Sequence, residues 1–415
     1  MAIIKAKDIC TFFVANIEFL TLCSKLFISF TIIYRPMPFI KGWFFLIISA
    51  SAYFQNIPIR LQKIRIHLKN FLKVSKSNSF AGKIGNRMTY KFSVLGLAFL
   101  GLLSITSCRN DDDDELIGNW IRVSDLDGKP RSNASAFVLN GLGYISGGYD
   151  GQYYYNDLWS YDPNSNYWTQ KADFPGVKRS SAVGFSTNSY GYIGTGYDGL
   201  NKLADFYRYD AASNSWTQIA DFPGSARYAA LAFGIGTKGY VGTGYDGSEL
   251  KDFFKYDEDA SSWSSIVSLG GSKRRDGAAF VINNIAYVGF GSNNGSLVSD
   301  FWAFDPSTES WTRKTDTVDD DNDENQTRTS PATFTSGGKG YVTSGSYSGV
   351  VKTTWEYNPS TNDWVQRSDF EGSARESACA FTIGDYGYVL TGNSGSSYFD
   401  DIWVFHPTAE QNDDD

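Results

Sequence analysis

One frame of about 48 residues recurs six times without a break between Trp120 and His406, and this periodicity limits the fold more than any other feature of the chain. Each copy opens on an arginine: Arg131, Arg179, Arg227, Arg274, Arg328 and Arg375. An aromatic follows small residues six positions on, as Phe137, Phe185, Phe233, Phe280, Phe334 and Phe381. A Gly-Tyr pair comes next, from Gly143-Tyr144 to Gly387-Tyr388, with Ala286-Tyr287 in the fourth copy. A third segment alternates Asp with two aromatics (Asp157-Trp159-Tyr161, Asp205-Tyr207-Tyr209, Asp252-Phe254-Tyr256, Asp300-Trp302-Phe304, Asp401-Trp403-Phe405), and the fifth copy reads Thr353-Trp355-Tyr357. A fourth carries Trp168, Trp216, Trp263, Trp311 or Trp364. Period-two alternation between Gly, Asn and Asp turns predicts four antiparallel strands per copy, here called a to d.

A four-stranded unit cannot bury its own faces, so neighbours must stack, and the chain ends decide between an open array and a ring. The sixth copy lacks the Trp of strand d. Trp120 precedes Arg131 by eleven residues, the interval from Trp168 to Arg179. The expectation is an all-β, six-bladed propeller whose last blade is completed by the N-terminal strand, which leaves no open sheet edge. The double-Gly, Tyr-Asp and Trp signals at these spacings resemble Kelch repeats across all six copies, from Trp120 to His406. The resemblance implies the fold; for function it implies a range that includes protein-binding adaptors, a copper-radical sugar oxidase and a sialic-acid mutarotase.

The organisation expected along the chain is a leader at 1–87, a lipoprotein signal peptide at 88–108, an acidic tether at 109–117, the propeller at 118–407 and an acidic tail at 408–415. Met88 and Lys91 precede the apolar run Phe92–Ile105, which is short for a membrane span, and Ile105–Cys108 resembles a bacterial lipobox with Cys108 as the lipidated residue. Asp111–Glu115 resembles the export signal that sends some Gram-negative lipoproteins to the cell surface, the other reading being a solvated tether. The address expected is therefore the bacterial outer membrane, lipid-anchored and surface-exposed. Residues 1–87 read as a misassigned start, and alternatively as two weak transmembrane helices over Phe12–Tyr34 and Phe39–Phe54.

Residues 1–108 hold 14 Lys and Arg against 2 acidic side chains, and the 307 residues that follow hold 23 against 43. So acidic a domain repels phosphate backbones, and nucleic acid is not an expected partner. Beyond residue 108 the chain has one His, His406, and one Cys besides Cys108, Cys379. That inventory excludes the copper-oxidase site, Ser-His-Asp and Cys-His hydrolases and His-ligated zinc; no cofactor or metal is expected. His406 is placed in a turn opposite the Arg face, and Cys379 as a small buried hydrophobe.

Loops b–c and d–a of a propeller share one face around the channel, and there Arg131, Arg179, Arg227, Arg274, Arg328 and Arg375 form a ring. Two readings stay open: contact with an anionic ligand, or scaffold pairing with the strand-c Asp. The b–c loops repeat Tyr149-Asp150-Gly151, Tyr197-Asp198-Gly199 and Tyr245-Asp246-Gly247, beside Tyr153, Tyr154, Tyr155, Tyr228 and Tyr398. Asp-Gly is a turn signal, and the rings and carboxylates are also a composition that stacks on sugars or proteins. The one insertion, between Trp311 and Arg328, carries Asp316, Asp319, Asp320, Asp321, Asp323 and Glu324 without calcium-loop spacing and reads as a solvated loop. The function expected first is non-catalytic binding of a glycan or envelope protein through this face. The alternatives are a sugar mutarotase or epimerase using Glu376, Glu249 or Asp198 as the acid, and a structural subunit of an envelope complex.

Overall fold

The computed structural model describes residues 29–34, 46–51, 116–319 and 324–412. The chain divides into two compact units, Met1–Ile105 and Thr106–Asp415. In the first, Ser29–Tyr34 and Leu46–Ser51 pair antiparallel, so the described parts of the two apolar stretches are extended. Among the described residues no helix is long and apolar enough to cross a membrane. The signal peptide, Cys108, the tether up to Glu115 and the last three residues of the acidic tail lie outside the described residues.

The second unit is six four-stranded antiparallel sheets. Blade one is Ser135–Leu139, Leu142–Ser146, Leu158–Asp162 and Tyr167–Lys171; blade two is Val183–Ser186, Gly191–Gly194, Phe206–Asp210 and Ser215–Ile219. Blade three is Leu231–Ile235, Lys238–Gly242, Phe253–Asp257 and Ser262–Ile266, and blade four is Ala278–Ile282, Ile285–Gly289, Trp302–Asp305 and Ser310–Arg313. Blade five is Ala332–Ser336, Lys339–Thr343, Thr354–Asn358 and Asp363–Arg367. Blade six takes Cys379–Ile383, Tyr386–Leu390 and Asp401–Glu410 from the C-terminal end and its outermost strand, Ile117–Asp125, from the N-terminal end. Each strand a adjoins strand a of the next blade, and blade six returns to blade one. The ring closes as expected.

The core is distributed: each blade interface has its own hydrophobic cluster. The Gly-Tyr signal acquires its reason here. A Cβ on Gly191 would lie 2.2 Å from the Phe137 ring of the preceding blade, and Gly239 stands the same way against Phe185. Glycine lets the neighbouring strand-a Phe lie flat on the sheet, stacked on its own Tyr, as Phe137 does on Tyr144 at 4.9 Å. The strand-d Trp ties outer edges together: Trp216 Nε1 donates to Ala172 O at 2.9 Å and Trp263 Nε1 to Ala220 O at 2.9 Å.

One expectation is corrected. His406 lies within the strand Asp401–Glu410, opposite Asn119 and 4.7 Å from the Tyr386 ring, because the N-terminal strand gives this segment a partner that a turn would not have. The acidic insertion adds a short hairpin, Val318–Asp319 paired with Glu324–Asn325, flanked by buried Thr317, Gln326 and Thr327. Residues 320–323 lie outside the described residues.

Candidate functional site

The frame arginines come first, because their geometry decides what remains for a ligand. Arg131, Arg179, Arg227, Arg274, Arg328 and Arg375 are all buried. Arg179 shows the pattern: Nη1 and Nη2 grip Asp205 at 2.6 and 2.7 Å, Nη1 also donates to Thr195 O at 2.9 Å, and Nε donates to Val177 O at 2.9 Å. Arg131–Asp157, Arg227–Asp252, Arg274–Asp300 and Arg375–Asp401 repeat the pairing. In blade five Arg328 meets Thr353 instead, through Oγ1 and the carbonyl at 2.9 Å each, and burial pulls its pKa down to about 10. Aromatic faces close the remaining sides, as Phe370 and Phe399 do around Arg375. A guanidinium with its donors used and no accessible surface has nothing to offer an anion. The ligand-contact reading of these six arginines is therefore corrected: they are scaffold.

Their backbones also hold the ring. The glycine that ends each strand b donates its N–H to the carbonyl of the next blade's frame arginine, from Gly148 to Arg179 at 2.8 Å round to Gly392 to Arg131 at 2.8 Å. A second closed circle lies at the channel mouth, two residues beyond each arginine. There Asn133, Ser181, Ala229, Asp276, Ser330 and Ser377 all have φ between 51 and 55°. Each donates its N–H to the carbonyl of the equivalent residue one blade back, over 2.7–3.1 Å. Left-handed backbone is costly outside Gly, Asn and Asp, and a complete circle of hydrogen bonds offsets that cost. These six residues, with the residue after each, line a cavity of about 160 Å³ at the mouth.

Between arginine and collar stands one residue per blade whose backbone bridges to the b–c loop: Ser132 to Tyr149, Ser180 to Tyr197, Tyr228 to Tyr245, Arg275 to Ser292, Thr329 to Ser346 and Glu376 to Asn393. The mouth is thus bipartite. The bridges of blades one to three carry tyrosines, and those of blades four to six carry Ser, Thr, Asn, Arg and Glu. On the aromatic side the rings form a continuous arc: Tyr398 to Tyr149 at 6.4 Å, Tyr149 to Tyr154 at 4.6 Å, Tyr154 to Tyr197 at 6.5 Å, Tyr197 to Tyr228 at 5.4 Å and Tyr228 to Tyr245 at 5.6 Å. Gly151, at φ +95°, is where Tyr398 of blade six reaches blade one; a Cβ there would lie 2.9 Å from that ring. All six tyrosines are half-buried, with part of each ring open to solvent.

The loop carboxylates do not join this surface as free groups. Asp150 accepts from the N–H groups of Gln152 at 2.8 Å and Tyr153 at 2.6 Å and from the Tyr155 hydroxyl. Asp198 accepts from Leu200 N at 2.7 Å and Asn201 N at 2.6 Å, bonds that hold its pKa below the usual carboxylate range. Asp246 accepts from Ser248 N at 3.2 Å. Turn chemistry engages all three carboxylates. Tyr149, Tyr197 and Tyr245 stand in the arc.

Where the arc ends, a charged group begins. Arg275 Cζ lies 4.8 Å from the Tyr245 ring centre, and its Nε is 3.7 Å from both Glu249 Oε1 and Asp276 Oδ2. Burial, reinforced by Glu376 and Glu249 against the opposing pull of Arg275, pushes the Asp276 pKa up to about 6. Burial also raises that of Glu376. Glu249 and Glu376 were legible candidates; Arg275 and Asp276 were not, although the Arg274-Arg275 doublet, with one arginine claimed by the frame, was a visible signal.

Comparison with known families places residues 118–225 in a match to the KLHDC2/KLHL20/DRC7 Kelch-repeats domain. No curated protein matches the chain.

Proposed function

Starting from a six-bladed β-propeller of Kelch type, we propose that the chain is a non-catalytic binding protein that engages a glycan through its channel mouth, held by Cys108 at the outer surface of a bacterial envelope. The observation that carries this reading is the tyrosine arc from Tyr398 to Tyr245, six half-buried rings in sequence on the channel face, ending beside the polar group of Arg275, Glu249 and Asp276. Flat, partly open rings beside hydrogen-bonding groups suit a sugar, which has an apolar face and a hydroxylated rim. The frame arginines take no part, so recognition rests on side chains that differ from blade to blade.

The test is a glycan array probed with the propeller unit, alongside a Tyr197→Ala, Tyr228→Ala variant. Selective binding lost in the variant supports the reading. Absence of binding to any glycan sinks it and leaves an envelope protein, or a structural place in an envelope complex, as the role of this face.

A second reading is favoured by one observation, the raised pKa of Asp276 beside Arg275 and Tyr228. A carboxyl whose pKa is pushed up to about 6 next to a cation and a phenol can exchange a proton with a bound sugar, as a mutarotase or epimerase requires. NMR exchange between the anomers of any sugar found on the array tests it. Exchange no faster than in buffer refutes it.

A further inference from the structure

The carboxyl groups of Asp276, Glu249 and Glu376 differ from the other acids on this face. Asp150, Asp198 and Asp246 are capped by N–H groups of their own loops, and the frame carboxylates are filled by arginine. No hydrogen bond among the described residues reaches the carboxyl of Asp276, Glu249 or Glu376. Glu249 is 6% exposed, and its one charged partner, Arg275, stands 3.7 Å away, beyond hydrogen-bond reach. The Arg275 Nε is itself buried without a hydrogen-bond partner. Asp276 and Glu376 are half-buried and open to solvent, and carboxyls without protein donors at the mouth can take donors that arrive from outside. Two cations, Arg275 and Lys202, whose Nζ lies 5.9 Å from the Tyr245 ring centre, stand against three carboxylates, so this group stays negative, and the aromatic faces beside it favour a cation further.

We propose that the channel mouth is built for a glycan bearing a free amino group, its ring packed on the Tyr197–Tyr228–Tyr245 arc and its ammonium received by Asp276 and Glu376. This deepens the glycan reading and rests on it. An ammonium brings three donors and the charge that the site lacks. A uronic or sialic acid would set a fourth carboxylate against the cluster, with the frame arginines sealed away. Selection among sugars thus comes from the residues just after the arginines, not from the arginines.

The experiment is calorimetric titration of the propeller unit near neutral pH with oligomers of glucosamine, of N-acetylglucosamine and of galacturonate, all of equal length. The glucosamine oligomer is expected to bind at least about tenfold tighter than its acetylated counterpart, the size of one charge-assisted hydrogen-bonded contact, and galacturonate weakest. Asp276→Asn combined with Glu376→Gln is expected to bring the amino-to-acetyl ratio to about one. Tyr228→Ala is expected to weaken every sugar together. Tighter binding of galacturonate or of the acetylated oligomer, or an amino preference that survives the double substitution, overturns the proposal. If those sugars still depend on Tyr228, the glycan reading stands without it; if no oligomer binds, the amino-sugar proposal falls and the glycan array alone decides the wider reading.

Discussion

Replacing Asp276 by Asn should stabilise the protein, and by an amount that depends on pH. Taking a carboxyl from its ordinary 3.8 to about 6 corresponds to about 3 kcal/mol at most. With 28% of the side chain exposed, solvent screening brings the expectation to about 1–2 kcal/mol. The sign follows from proton counting. Between pH 4 and 6, roughly, folded Asp276 keeps a proton that the unfolded chain has lost, so its contribution to stability falls as pH rises through that window. Above it the folded state carries the full penalty of a buried charge near Glu249 and Glu376; below it both states are protonated and the penalty vanishes. Asn holds no such charge and is at home at φ +53°, since Asn133 occupies the same seat in blade one. Urea unfolding followed by Trp fluorescence should therefore show Asp276→Asn more stable by about 1–2 kcal/mol at about pH 8, with the gap closing towards about pH 4. A gap of the same size at both ends, or a loss of stability at the alkaline end, would refute the reasoning. A carboxylate kept where an amide would be more stable is itself a pointer to use.

Other outcomes follow from the frame. Asp205→Asn leaves the Arg179 guanidinium buried without its counter-charge and should cost about 3–5 kcal/mol, read as a lowered Tm with the far-UV spectrum retained below the transition. Thr353→Asp gives Arg328 the carboxylate that its five counterparts have, and should raise stability by about 1.5–3 kcal/mol in the same assay. Gly191→Ala drives a Cβ to within 2.2 Å of the Phe137 ring and should cost about 1–3 kcal/mol; adding Phe137→Leu should recover part of the loss.

The fold was readable because its determinants repeat. The Arg-to-Asp spacing fixes a buried ion pair in each of five blades, the Gly-Tyr pair fixes how a neighbouring Phe seats, and the interval from Trp120 to Arg131 shows which strand closes the ring. The site was readable only in part, for the converse reason. Periodicity draws attention to Arg131 and its equivalents, and a residue needed by every blade proves to be engaged by its own blade. The positions at the channel mouth are those that do not repeat: Tyr228, Arg275 and Glu376 beside Ser132, Ser180 and Thr329 at the bridges to the b–c loops, and Asp276 beside Asn133 and Ala229 on the cavity wall. No spacing rule distinguishes them from loop residues, and their proximity arises from blades far apart in the chain. His406 was misplaced by the same logic, since its repeat equivalents are turn residues and only the N-terminal strand extends its own segment.

The circle of backbone hydrogen bonds from Asn133 to Ser377 divides labour along the chain. Each of its bonds joins main-chain atoms, so the collar does not ask which side chain sits there beyond tolerance of a left-handed turn. Twelve adjacent positions, two per blade, can therefore change identity while the barrel of blades beneath keeps its registration. Such a surface resembles a ring of interchangeable letters in a fixed frame: new specificities are reachable by single substitutions, and a library restricted to these positions would sample recognition without resampling the fold.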